Sequence, residues 1–201
     1  MLNIAVFVSG KGSNLRAIHD AIVLGTLDAR ICLVLGSRPD APALDWAASE
    51  GIPTGVISHR SDDTDSAILG LLEEHGADSI ALAGYLKLVP PAVVRAFQHR
   101  MLNIHPALLP AFGGAGMYGR HVHEAVLAAG VKVSGATVHV VDEEYDRGPI
   151  VMQECVPVLE DDTASTLASR VLEVEHRLFP RALQLFAENR VNIENGKAII
   201  Q

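Results

Sequence analysis

The sequence predicts an α/β fold: a doubly wound, mostly parallel, Rossmann-like sheet with a mixed C-terminal part and a long C-terminal helix. Three observations carry this. Short apolar runs alternate with helix-spaced segments at a period of roughly 25 residues, the pattern of strands joined by crossover helices. Runs such as Asn3–Ser9 and Ile31–Leu35 are apolar on both faces, as strands covered by helices on both sides must be. Late in the chain, two long strand-like runs, Val133 to Val141 and Ile150 to Val158, are joined by Asp142 to Pro149. That connection is too short for a crossover helix, so this pair is hairpin-like and the sheet turns mixed there.

The first strand, Asn3-Ile4-Ala5-Val6-Phe7-Val8-Ser9, runs into Gly10-Lys11-Gly12-Ser13-Asn14. Leu15, Ala17, Ile18, Ala21 and Ile22 then follow at helical spacing. A glycine-rich turn that opens a helix lets the backbone approach an anion, and the free N–H groups of the first turn point at it. Ser13 and Asn14 add side-chain donors or a cap. Leu15 stands where a dinucleotide fingerprint needs its third glycine, and no Lys-Ser/Thr pair closes a Walker A loop. The turn therefore suits a single phosphate better than a pyrophosphate.

Ile31–Leu35 is the second strand, ended by Gly36-Ser37-Arg38-Pro39. A helix from Ala41 to Gly51 turns Leu44, Ala47 and Ala48 inward. Thr54–Ile57 is a third strand and His59 to Asp65 a polar loop. The next helix buries Ile68, Leu69, Leu71 and Leu72 and stops near Gly76. Ser79–Ala83 is the fourth strand, followed by Gly84 to Val89, a short helix from Pro90, and the strand Met101-Leu102-Asn103-Ile104-His105. Pro106 cannot donate a ladder hydrogen bond and stops that strand.

Phe112 to Gly119 is too rich in glycine for a helix or strand and reads as a mobile, lid-like loop. A short helix from Val122 to Ala129 precedes the two long strands. A helix from about Ala164 to Asn189 closes the domain, with Pro180 expected to kink it or break it in two. Lys197–Ile200 reads as an added edge strand. No repeat or linker interrupts residues 1–201, which are expected to form a single domain.

Composition narrows the function classes. Hydrophobic residues make up 49% of the chain and aromatic ones 4%, so the core must be mainly aliphatic. A net charge of −8 argues against a nucleic-acid-coating surface. Cys32 and Cys155 both lie in apolar strand-like runs, without metal spacing around them, and read as buried reduced thiols. No basic n-region precedes the first apolar run, and no run approaches a membrane span. A cytoplasmic protein is expected, with neither nucleic acid nor membrane as a partner.

Candidate chemistry lies where ligands bind such sheets, outside the carboxyl ends of the strands. Asn103 and His105 are two apart on a strand and share a face. An amide able to donate hydrogen bonds thus sits beside an imidazole able to exchange protons near neutral pH. Asp146 precedes Arg147-Gly148-Pro149, which should fix its backbone. A carboxylate near an imidazole raises the pKa of the ring and can take up protons. Glu143 and Glu144 read as solvated. His139 reads equally as a core histidine or as a further polar group of the site. His121-Val122-His123 invites a metal, but it follows a flexible loop, a poor base for rigid coordination. Glu175 reads either as a reader of a substrate amine or as a solvent-facing carboxylate.

Taken together, these residues resemble the folate-dependent formyltransferases, and among them the phosphoribosylglycinamide formyltransferases. The resemblance runs from Asn3 to about Val191. It rests on Ser9-Gly10-Lys11-Gly12-Ser13-Asn14-Leu15, Leu82 to Leu88, Leu102-Asn103-Ile104-His105-Pro106 to Pro110, Gly135 to Val141, Asp146-Arg147-Gly148-Pro149-Ile150 and Glu175-His176. It implies formyl transfer from 10-formyltetrahydrofolate, a co-substrate, to glycinamide ribonucleotide, by a monomer or homodimer and without a metal. Gly12, Ser13 and Asn14 would hold the ribose 5-phosphate, and Glu175 the glycinamide. Leu86, Lys87, Leu88 and Val89 would line the pterin pocket, with Asn103 beside them. Val140, Val141, Asp142, Glu143, Glu144, Tyr145 and Asp146 would cover the pterin from the other side. Asn103, His105 and Asp146 would be catalytic. The amide of Asn103 and a His105 kept cationic by Asp146 would then donate to the formyl oxygen. Relative to the family's pattern, the segment from His59 to Asp65 is shorter, with Arg60 the weak counterpart of a folate-contacting arginine. The loop from Phe112 to Arg120 is longer and richer in glycine. The rival readings are another one-carbon enzyme on this scaffold, which hydrolyses formylfolate or formylates an amino sugar or charged tRNA, a non-catalytic phosphate binder, and a metal hydrolase.

Overall fold

The chain is described by a computed structural model covering residues 1–57 and 63–201. It divides into two compact units, Met1–Leu102 and Asn103–Gln201. The division falls inside one strand. His59 and the folate candidate Arg60 lie outside the described residues.

The first unit contains β1 (Leu2–Val8), α1 (Ser13–Val23), β2 (Ala29–Gly36), α2 (Pro42–Ser49), β3 (Thr54–Val56), α3 (Thr64–Glu74), β4 (Ser79–Leu82), α4 (Pro91–Ala96) and the start of β5 (Met101–His105). The strands are ordered β3-β2-β1-β4-β5. β1 pairs in parallel with β2 on one side and β4 on the other, and β2 with β3. β1 is central, so Ile4, Ala5, Val6, Phe7 and Val8 are fully buried. Burying each larger side chain of that run is worth about 1.5–3 kcal/mol. This explains a strand apolar on both faces.

The turn into α1 depends on Gly12. Its φ of 74° lies in the left-handed region, and a Cβ built there would stand 2.7 Å from the Ala43 side chain. Only glycine meets both demands cheaply. α1 then buries Leu15, Ile18 and Ala21 along one stripe.

The second unit contains the end of β5, α5 (Arg120–Ala128), β6 (Val133–Val140), β7 (Ile150–Pro157), α6 (Ala164–Ala187), β8 (Val191–Glu194) and β9 (Lys197–Ile200). The order here is β5-β6-β7, with β6 and β7 antiparallel, so the sheet is mixed as expected. The register slips between Val138 and His139, the mark of a bulge. Residues 112–119 form neither helix nor strand.

Three expectations are corrected. α6 runs unbroken from Ala164 to Ala187 with Pro180 inside it. Pro180, Phe179, Ala182 and Leu183 are all buried, and this packing offsets the one helix hydrogen bond a proline removes. The start of α6 is secured by a reciprocal capping box between Thr163 and Thr166. Lys197–Ile200 pairs with β8 in a separate two-stranded sheet rather than at the edge of the main one. Cys155 is exposed, whereas Cys32 is buried. β7 is the last strand of its sheet and alternates in burial, so Cys155 and Val156 face opposite ways.

The β6–β7 connection is held by a close backbone approach. Val140 N–H donates to the Pro149 carbonyl at 2.8 Å. A Cβ on Gly148 would collide with the Val140 carbonyl oxygen, which is backbone and cannot move aside. Gly148→Ala is therefore expected to destabilise the protein by about 2–3 kcal/mol or more. Urea unfolding measures this, and an unchanged midpoint would refute the close approach.

Candidate active site

Asn103 and His105 stand at the carboxyl end of β5, on the same face. His105 is 3% exposed. The chain beyond it is clamped by Thr137 on β6. The Thr137 hydroxyl donates to the Ala107 carbonyl at 2.6 Å and accepts from Leu109 N–H at 3.0 Å. Gln153 Nε2 donates to the same hydroxyl and to the Leu109 carbonyl. These bonds fix the path by which the strand leaves His105.

Asp146 reaches the pair from the β6–β7 connection. Its φ of 57° is left-handed, a conformation aspartate tolerates better than most residues. Asp146 Oδ2 lies 3.5 Å from His105 Nδ1 and accepts from Gly114 N–H at 2.9 Å. Asp146 Oδ1 lies 3.4 Å from Asn103 Nδ2 and 3.5 Å from His139 Nε2. The structure thus brings Asn103, His105 and Asp146 together and adds His139. Burial alone would raise the Asp146 carboxyl. The His139 hydrogen bond, the His105 ring and Gly114 N–H outweigh burial and hold it below the usual carboxylate range.

His105 behaves differently from the sequence expectation. Burial pulls its pKa down more strongly than Asp146 and the Phe112 carbonyl pull it up. The net direction is downward, so the ring is neutral at pH 7 rather than cationic. Its Nε2 lies 2.9 Å from the Phe112 carbonyl oxygen, an acceptor, so Nε2 carries the proton. Phe112 itself adopts a left-handed φ of 55°. The glycine-rich loop thus contacts the cluster twice, at His105 through Phe112 and at Asp146 through Gly114.

The two histidines of the H-x-H pair part company. His121 is exposed, 3.6 Å from Glu124 Oε2 and edge-on to Tyr118. His123 is 4% exposed, with Nδ1 lacking a partner among the described residues. Burial and the nearby His105 lower the pKa of His123. Among the described residues no group of three or more His, Cys, Asp or Glu side chains is placed to share a metal ion.

In the first unit, no side chain caps the N-terminus of α1 at Gly12. Ser13 is half-buried and Asn14 buried. Leu86 N–H donates to the Ser9 hydroxyl at 3.0 Å, so that backbone donor is already engaged. The same hydroxyl accepts from Ser37. Leu86, Lys87 and Leu88 are exposed and Val89 is buried. Of the hairpin residues, Val140 is buried, Val141 and Asp142 are half-buried, and Glu143, Glu144 and Tyr145 are exposed. Asp142 Oδ1 accepts from Glu144 N–H. Glu175, on α6, is 8% exposed and so does not face solvent.

Sequence reasoning missed Ser9, Thr137 and Gln153 as supports, although Ser9 and Thr137 lie in the motifs quoted above. It also missed the backbone contacts of Phe112 and Gly114, for which side-chain identity carries no signal.

A family profile described as "Formyl transferase" matches residues 2–183. A chloroplastic phosphoribosylglycinamide formyltransferase of Arabidopsis thaliana is 44% identical over 98% of this chain and 70% of its own length. The phosphoribosylglycinamide formyltransferase of Haemophilus influenzae is 35% identical over 100% of this chain and 94% of its own. Among solved structures, glycinamide ribonucleotide transformylase 1 from Symbiobacterium toebii superposes with a TM-score of 0.93 at 41% identity, covering 100% of this chain and 94% of that one. A match of this extent, together with full-length likeness in sequence and fold, means that the chain belongs to the formyl transferase family.

Proposed function

We propose that this chain transfers the formyl group of 10-formyltetrahydrofolate to the amine of glycinamide ribonucleotide, the phosphoribosylglycinamide formyltransferase reaction of purine synthesis. The observation that carries the reading is the cluster of Asn103, His105 and Asp146 around one buried carboxylate. Family membership supplies the formyl donor as co-substrate. Among the described residues no helix is long and apolar enough to cross a membrane; we place the protein in the cytoplasm.

The neutral amine attacks the formyl carbon, and negative charge develops on the formyl oxygen. His105 Nε2–H is the donor aimed at that oxygen. In this structure the same N–H is engaged by the Phe112 carbonyl, so one acceptor must replace another. The amine loses a proton as the new C–N bond forms. Asp146, with His105 Nδ1 beside it, takes up that proton and returns it to the folate nitrogen as the old C–N bond breaks. Gly12, Ser13 and Asn14 hold the phosphate through the first turn of α1. Glu175 binds the glycinamide. Leu86 to Val89, and Val140 to Asp146, contact the folate.

His105→Ala and Asn103→Ala are each expected to lose about 10²–10³ in kcat/KM. The assay follows absorbance as 10-formylfolate loses its formyl group, with and without glycinamide ribonucleotide. Near-normal turnover in either variant would discard the assignment. Formyl release without the amine would move the reading to the hydrolase.

Stability should also depend on pH in a defined window. The folded pKa values of His105 and His123 lie below the ordinary value of about 6.5. The unfolded chain therefore binds more protons as pH falls below about 6.5, and the stabilisation present above that pH is lost. Each ring contributes at most about 1.4 kcal/mol per pH unit across the window. Thermal unfolding between about pH 7.5 and about pH 5.5 should show the fall, and His123→Gln should flatten it. Equal slopes in the two proteins would show that His123 is not held neutral.

A further inference from the structure

Ser9 follows the last residue of β1 and is 8% exposed. Three segments of the first unit meet at it. On the β2 side, Ser37 N–H donates to the Val8 carbonyl at 2.9 Å, the Ser37 hydroxyl to Ser9 Oγ at 2.8 Å, and Arg38 Nε to the Ser9 carbonyl at 3.2 Å. On the β4 side, the parallel ladder ends with Ala83 N–H donating to the Phe7 carbonyl at 2.9 Å. Gly84, with a left-handed φ of 72°, then turns the chain away from a strand path. The next bond back to β1 runs from Leu86 N–H to Ser9 Oγ at 3.0 Å. An amide N–H can only donate, so the hydroxyl stands in for the strand carbonyl that the turned chain no longer faces. Tyr85 lies edge-on to Phe7 with ring centroids 5.4 Å apart, so this segment is packed on β1 as well as bonded to its end. The third segment is the Gly10–Asn14 turn, which continues directly from Ser9 and whose Gly10 carbonyl accepts from Ala43 N–H at 3.2 Å.

We propose that Ser9 is a positioning residue that couples the phosphate turn to the folate segment: its backbone carries Gly10–Asn14, and its hydroxyl holds Leu86–Val89. This rests on those two segments being the contacts for phosphate and folate. A phosphate gripped by the first turn of α1 restrains Gly12, Ser13 and Asn14 and, through Gly10, the strand end at Ser9. A restrained Ser9 holds Leu86 N–H in place, so a folate then meets a segment that is already partly ordered. Linkage makes the effect reciprocal, and each substrate tightens the other by the same factor. The role needs no contact between Ser9 and either substrate. Ser9→Ala keeps the whole Gly10–Asn14 turn and removes the hydroxyl, which leaves Leu86 N–H without its acceptor.

Amide hydrogen exchange at Leu86 reads this link without turnover. In the wild type, glycinamide ribonucleotide alone should slow that exchange about threefold or more, whereas in Ser9→Ala it should bind and leave the exchange unchanged. Titrations give the same answer from the other side. Folic acid, which carries the pterin without a formyl group, should bind the wild type about 3- to 10-fold more tightly when glycinamide ribonucleotide is saturating. The ratio should fall to near one in Ser9→Ala, and Ser9→Thr, which keeps a hydroxyl, should recover most of it. The wild-type measurements stand even where Ser9→Ala fails to fold. Leu86 exchange indifferent to glycinamide ribonucleotide in the wild type, an undiminished ratio in Ser9→Ala, or a Ser9→Thr no better than Ser9→Ala would each overturn the role. A wild type that binds neither ligand would instead bring down the reading of the two segments, and this role with it.

Discussion

The Asp146 carboxylate is the group on which the arrangement of the second unit turns. It is 10% exposed, and burying an unpaired carboxylate costs several kcal/mol. The cost is offset by Gly114 N–H on one oxygen and the Asn103 amide on the other, with the His105 and His139 rings each 3.5 Å away. The Gly114 contact is a short charge-assisted bond, whereas the other three lie at 3.4–3.5 Å. The carboxylate stays ionised because the Gly114 bond and the longer contacts act together in a medium where each is worth more than in water. Removing any one leaves the others to carry a buried charge, so the cluster acts as a unit.

Much of the fold was legible in the sequence. β1 announces itself because a central strand must be apolar on both faces, and the turn at Gly12 because a glycine-rich stretch separates that strand from a helix-spaced segment. The antiparallel pairing of β6 and β7 followed from the length of their connection alone. Local rules gave less help where packing across elements decides the outcome. Pro180 reads as a helix breaker only while its burial is unknown. Cys155 reads as buried only while the edge position of β7 is unknown. Within the site, Asn103 and His105 were placed by the period of a strand, and Asp146 by its neighbours Gly148 and Pro149. The electrostatics were not legible. Whether burial or a carboxylate governs His105 depends on how deep the ring lies, which no local pattern encodes.

The glycine-rich loop supplies backbone where a sequence reading looks for side chains. The Phe112 carbonyl and Gly114 N–H meet complementary groups, a donor on His105 and an acceptor on Asp146. Gly113 stands between them, and a Cβ there would crowd the Leu109 side chain and come within 3.2 Å of Asp146 Cβ. Glycine content here permits a close approach to the cluster, beyond any freedom it grants the loop. The same contacts that satisfy His105 and Asp146 in this structure occupy the atoms the proposed transfer needs. Substrate groups must therefore match the polarity of what they replace: an oxygen at His105, a donor at Asp146. A formyl oxygen and an attacking amine have those polarities.

That match bears on why a neutral His105 suits the proposed chemistry. An imidazolium beside Asp146 would tie the carboxylate into an ion pair. A neutral ring with its hydrogen on Nε2 still donates to oxygen, though less strongly than an imidazolium, and leaves Asp146 free to receive the proton that the amine sheds. The depressed Asp146 pKa limits how long the proton stays there, so it is passed on to the leaving nitrogen instead of being stored. In the proposed reaction, burial thus leaves His105 a neutral donor for the formyl oxygen, and an ionised Asp146 is in place to receive the amine's proton.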